Sequence, residues 1–149
     1  MPGHRDLGIT PQMKQYQKTE VVYKEFPNFD VLGFVDALHD GIIYEFKTTA
    51  TLPDAPQTAH VLQAQAYFSL LPEPQKSAVT SIQIIYLSMH SIKVFEIPIR
   101  DITSFLEARA MQLTLALKNK LPVEKEVSWL CKYCDFYQKC FSDKPKFID

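Results

Sequence analysis

A mixed α/β layer structure is the fold class this sequence predicts, and three observations predict it. Segments with period-two alternation and segments with helical periodicity succeed one another in the order strand-strand-strand-helix-strand-strand-helix. The breaks between them are short turn signals, Pro27-Asn28, Asp40-Gly41 and His90-Ser91, and no linker, repeat or low-complexity tract interrupts the series. One run, Ser81 to Met89, is almost wholly apolar, as a central strand covered on both faces must be. At 149 residues and 46% hydrophobic content the chain suits one core and one globular domain.

The first three strands are expected at Val21 to Phe26, Phe29 to Leu38 and Gly41 to Thr48, as an antiparallel meander. Asp40-Gly41, between β-branched and aromatic runs, is a strong hairpin signal and sets the register. If these two residues form the loop, His39 pairs with Ile42, Leu38 with Ile43, Ala37 with Tyr44, and Asp36 comes opposite Glu45. From Pro56 to Leu71 the pattern is helical, with Val61, Ala64, Phe68 and Leu71 on one apolar stripe and Leu62, Ala66 and Leu70 near another, which predicts a largely buried helix. Pro72 and Pro74 end it. Strands Ser81 to Met89 and Ile92 to Ile99 follow. A second amphipathic helix, capped by Asp101, is expected to turn Ile102, Phe105, Leu106, Leu113 and Leu117 inward and to stop at Leu121-Pro122.

The balance of 16 Lys+Arg against 17 Asp+Glu leaves a net charge of -1, so any nucleic-acid surface must be local. No apolar run is long enough to cross a bilayer, and the polar start Met1-Pro2-Gly3-His4-Arg5-Asp6 lacks the apolar stretch of a signal peptide; the expectation is a cytoplasmic protein without a membrane partner.

Two carboxylates placed opposite each other on a hairpin repel unless something compensates them, and a divalent cation would. Asp36 and Glu45 stand in that relation, and Lys47 projects from the same strand face as Glu45. Glu-x-Lys alone is what any half-exposed strand shows. Its weight comes from Asp36 opposite, from Gly33 three residues before Asp36, and from the helix that follows. On that helix His60, Gln63 and Tyr67 share one narrow polar face. Gln63 and Tyr67 can bond a phosphate or order a metal-bound water without adding charge, whereas His60 by itself reads as a residue satisfying backbone groups or lying at the surface. His4 is a further candidate ligand. In the tail, Cys131, Cys134 and Cys140 give C-x2-C-x5-C, a spacing for zinc or an iron-sulfur cluster that supplies three of the usual four ligands.

In this order the motifs resemble the RecB-like branch of the PD-(D/E)XK nuclease superfamily, and most closely the CRISPR-associated exonucleases of the Cas-four family. The matching positions are His4, Gly33 with Asp36, Glu45 with Lys47, Gln63 with Tyr67, and Cys131 with Cys134 and Cys140. The resemblance implies a restriction-endonuclease-like core, a central mixed sheet flanked by helices, over residues 1–125, with a cysteine-rich tail at 126–149 packed on the same domain. It further implies Mg2+ or Mn2+ held by His4, Asp36, Glu45 and the backbone carbonyl of Phe46, with Lys47 assisting the attacking water. The expected activity is exonucleolytic cleavage of DNA, preferentially at single-stranded ends, in CRISPR spacer acquisition alongside integrase proteins. A stand-alone or viral RecB-like nuclease in recombination or replication would use the same site, and a catalytically weak DNA-binding scaffold is the expectation from another class. The family's 4Fe-4S cluster takes a fourth cysteine from a helical part upstream of the histidine, and no cysteine precedes His4 here. A shortened chain, a non-cysteine or external fourth ligand, or a tail holding zinc or no metal are the alternatives.

Overall fold

The structure, a computed structural model, describes residues 20–121, 127 and 129–141. Asp40 and Gly41 both take positive φ, 48° and 76°, the pairing of a two-residue turn whose twist matches that of the strands it joins. On either side β3 (Ala37–His39) and β4 (Ile42–Thr48) pair His39 with Ile42, Leu38 with Ile43 and Ala37 with Tyr44, the register counted from the sequence. A side chain at Gly41 is barred by space as well as by φ, because a Cβ there would lie 2.4 Å from the Ala78 carbonyl oxygen.

The expected continuous strand Phe29 to Leu38 is corrected. It breaks at Asp36 into β2 (Phe29–Val35) and β3, and the two belong to different sheets. β1 (Glu20–Phe26) and β2 form a separate antiparallel pair, from Phe26 opposite Phe29 to Glu20 opposite Val35. The meander is therefore two hairpins. The reason is a bond across the chain: the Asp36 side-chain Oδ2, 2.8 Å away, accepts the N–H of Phe46, ten residues later, and takes the place of a ladder bond.

The second sheet has the order β3-β4-β5-β6. Helix α1 (Thr58–Leu70) crosses from β4 to β5 (Ser81–Leu87), so these two strands run parallel, while β6 (Ile92–Ile97) returns antiparallel. The apolar strand is thus interior, as its composition predicts. Ile43 of β4, Ile82, Ile84 and Tyr86 of β5 and Ile97 of β6 form a core with Val22, Val35 and the α1 residues Ala64, Tyr67 and Leu70. Val61 and Phe68 are only partly buried on α1, whereas Gln65 and Ser69 are buried. Both polar groups are satisfied: Gln65 Nε2 donates to the Pro98 carbonyl at 3.0 Å, and Ser69 Oγ accepts the Ile102 N–H at 2.8 Å.

Asp101 caps the next helix, α2 (Thr103–Asn119), accepting the Thr103 N–H at 2.9 Å. At its other end Lys120 takes a positive φ of 53°, and the Leu121 and Lys120 N–H groups turn back to the Ala116 and Leu117 carbonyls, the double bond of a left-handed helix terminus. The inward stripe expected on α2 is corrected too. Leu106 packs on the core, but Phe105, Leu113 and Leu117 are exposed, Leu117 to 70%. Periodicity marks a face; burial needs a surface to meet it.

The chain divides into two compact units, Met1–Ala110 and Met111–Asp149. In the second, a 3-10 turn at Trp129–Tyr133 precedes a short helix α3 (Tyr137–Cys140). No helix among the described residues is long and apolar enough to cross a membrane.

Candidate functional site

Glu45 lies on the face of β4 that meets α1, between Ile43 and Lys47, and is 2% exposed. One of its oxygens, Oε1, receives Lys47 Nζ at 2.6 Å. The other, Oε2, is buried and has no hydrogen-bond partner. Beside it stands Asp36, exposed at the bend between β2 and β3 and aimed by its bond to the Phe46 N–H. Burial raises the pKa of Glu45 above the ordinary carboxylate value; Lys47 opposes the rise and the charge of Asp36 adds to it. A hydrogen-bonding contact with Asp36 adds to the rise as well.

Lys47 also donates to Gln63 Oε1 at 2.6 Å, and Gln63 Nε2 donates in turn to the Tyr67 hydroxyl at 2.8 Å. The result is a chain, Glu45, Lys47, Gln63, Tyr67, that links β4 to two successive turns of α1. Burial lifts the Tyr67 pKa, and the Glu45 charge adds to the effect. Gly33 has its place here for a steric reason: a Cβ on it would come 2.8 Å from Tyr67 Cε1 and 3.2 Å from Val22 Cγ2. The G-x-x-D spacing therefore reports the packing of Tyr67 against β2 together with the carboxylate.

Of the site residues expected from sequence, the structure brings together Asp36, Glu45, Lys47, Gln63 and Tyr67. Phe46 gives its N–H to Asp36, and its side chain lies on the opposite sheet face, 43% exposed. His4 lies outside the described residues. Cys131 sits in the 3-10 turn, Cys134 just after it and Cys140 at the end of α3, in the second unit. Among the described residues no group of three or more His, Cys, Asp or Glu side chains is arranged to hold a metal.

Sequence reasoning missed Tyr86. It is 1% exposed, lies opposite Lys47 in the β4–β5 register, and its hydroxyl meets His60 Nδ1 at 2.8 Å and the Gln57 N–H at 3.0 Å. Only the parallel pairing of the two strands reveals this, and no local signal specifies that pairing. Burial lowers the His60 pKa, as does the positive charge of Lys47.

Chemically, this face can hold a cation between a buried and an exposed carboxylate and can present an ammonium and a phenol beside it. No family model and no curated protein matches the chain. Among solved structures it is similar to the crystal structure of SSO0001, with a TM-score of 0.61 and 24% identity over 93% of this chain and 67% of that one. At that identity the likeness establishes a shared fold, a mixed sheet flanked by helices.

Proposed function

We propose that this chain is a Mg2+- or Mn2+-dependent deoxyribonuclease with a PD-(D/E)XK core of the RecB-like type, as the resemblance to the Cas-four exonucleases implies. One observation supports it above the others: a carboxylate oxygen, Oε2 of Glu45, is buried without a partner next to a second carboxylate. Buried polar atoms are nearly always satisfied, and a hard divalent cation satisfies two carboxylates at once. The two carboxylates, Asp36 and Glu45, fit such a group, and by resemblance the Phe46 carbonyl and His4 would join them as ligands. When bound, the ion supplies Lewis acidity toward a phosphoryl oxygen and a more acidic water.

The chain's own residues do the rest. Lys47 is fixed by Glu45 and Gln63, so its ammonium stands ready to donate to the attacking water or to the charge that builds on the phosphoryl group. Gln63 and Tyr67 hold that lysine and offer neutral hydrogen bonds to a phosphate. Asp36, exposed, is open to the substrate side while Glu45 is sealed in the fold. The finer reading is exonucleolytic trimming of single-stranded DNA ends in the cytoplasm, with CRISPR integrase proteins as partners. A 4Fe-4S cluster on Cys131, Cys134 and Cys140 belongs to the proposal by resemblance to the family, and the spacing itself suits zinc as well.

The test is cleavage of end-labelled single- and double-stranded DNA with Mn2+ by the native chain, Glu45→Gln and Lys47→Ala. Cleavage by the native chain that both variants lose upholds the reading. Equal cleavage by all three, or none by the native chain, overturns it.

A further inference from the structure

Tyr86 is buried, and its hydroxyl oxygen already accepts the Gln57 N–H. Its single proton must then go to His60 Nδ1, because among the described residues no other acceptor is in reach and an unsatisfied buried hydroxyl is costly. The imidazole is thereby held as the tautomer that carries its proton on Nε2. Desolvation and the Lys47 charge both disfavour a second proton, which keeps the ring neutral. His60 Nε2 has no partner among the described residues and is not among the side-chain atoms sealed from solvent without one. His60 sits one helical turn before Gln63, and Tyr86, which orients it, lies opposite Lys47 in the sheet.

We infer that His60 is a phosphate-contacting residue: its Nε2–H, locked as a donor by Tyr86, bonds a non-bridging oxygen of a phosphodiester bound at Lys47 and Gln63. The inference rests on the nuclease reading and deepens it, because it assigns a neutral donor to the same face. A neutral ring adds a directed bond without a further cation beside Lys47. It also leaves the proton inventory of the reaction untouched.

The test combines binding with spectroscopy on the full chain. The probe is a short single-stranded oligodeoxythymidylate, with Ca2+ in place of Mn2+ to hold back cleavage. Long-range 15N–1H correlation spectra should show His60 as the Nε2–H tautomer, with its Nε2 signal moving when the oligonucleotide is added. Loss of a bond to a charged phosphate weakens binding about tenfold or more, so His60→Ala should do so while His60→Gln, which keeps an N–H donor, restores most of it. Tyr86→Phe should release the tautomer and weaken binding less than His60→Ala. An Nδ1–H tautomer in the native chain overturns the inference. So does unchanged binding by His60→Ala, and if Lys47→Ala is then still inactive the nuclease reading stands alone. A native chain that neither binds the oligonucleotide nor cleaves DNA overturns both.

Discussion

Replacing Glu45 by glutamine should stabilise the metal-free protein and abolish its response to divalent metal. The native carboxylate is 2% exposed, with one oxygen on Lys47 and the other without a partner. Burial raises its pKa above the ordinary carboxylate value, so the folded state binds the proton more tightly than the unfolded state does. Stability from this group therefore falls as pH rises from the unfolded value through the folded one, and the full cost is present above the folded value. Glutamine keeps the shape, still accepts from Lys47, and turns the second acceptor into an N–H donor toward Asp36. Relief of an unsatisfied buried oxygen is worth about 1–3 kcal/mol, and the weakened contact with Lys47 subtracts part of that. A net gain of about 1 kcal/mol corresponds to a rise of roughly 2–4 °C in Tm for a chain of this size. Mn2+ at a hundred times its Kd should add about 2.7 kcal/mol to the native chain and nothing to the variant. The assay is thermal unfolding by circular dichroism in EDTA and in Mn2+, at about pH 5 and about pH 8, where the gap between the two proteins should be smaller at the lower pH. A variant that melts several degrees below the native chain in EDTA would refute the reasoning, since the Glu45–Lys47 pair would then be a structural bond. An unmoved native Tm in Mn2+ would refute the metal site.

Three further substitutions probe the frame around the site. Gly33→Ala forces a methyl into Tyr67 and Val22 and should cost about 1–3 kcal/mol, read as a lower urea midpoint, with DNA cleavage falling along with it as Tyr67 leaves Gln63. Gly41→Ala meets both a positive φ and the Ala78 carbonyl, so a loss of about 2 kcal/mol or more is expected in the same urea titration, and an unchanged midpoint would mean the turn re-forms elsewhere. Lys76 bonds Asp101 and the Ser69 carbonyl and lies over the Phe68 ring. Lys76 and Thr103 hold the Asp101 carboxyl well below its ordinary range. That contribution is present above the unfolded carboxylate pKa and is lost as pH falls through the folded one. Lys76→Met should thus cost about 0.5–1 kcal/mol at neutral pH, after allowance for solvent screening, and reduce the loss of stability on acidification; equal acid sensitivity in the two proteins would contradict this assignment.

The residues that were legible in the sequence are those whose placement depends on near neighbours. Asp40-Gly41 announces its own turn, and counting from it pairs Ala37 with Tyr44 as observed. Lys47 shares a face with Glu45 because alternation along a strand needs no tertiary information. Gln63 and Tyr67 are neighbours on a helix for the same reason, and the bond between them follows from spacing. By contrast, the bend at Asp36 depends on an N–H ten residues later, and the continuous strand suggested by composition gave way to it. Leu113 and Leu117 look like core positions because periodicity describes a helix without its surroundings.

What the sequence by itself determined is thus the mixed α/β class, the order of elements apart from the break at Asp36, the hairpin register and the carboxylate, lysine, glutamine and tyrosine set. Turn chemistry and side-chain periodicity act over a few residues and can be read one segment at a time. Only the tertiary structure decided that β4 and β5 run parallel with Tyr86 across from Lys47, that Glu45 is sealed with one oxygen unpartnered, and that Tyr67 closes over Gly33. Each of these joins groups from different elements, and burial, which sets their energies, is a property of the packed whole.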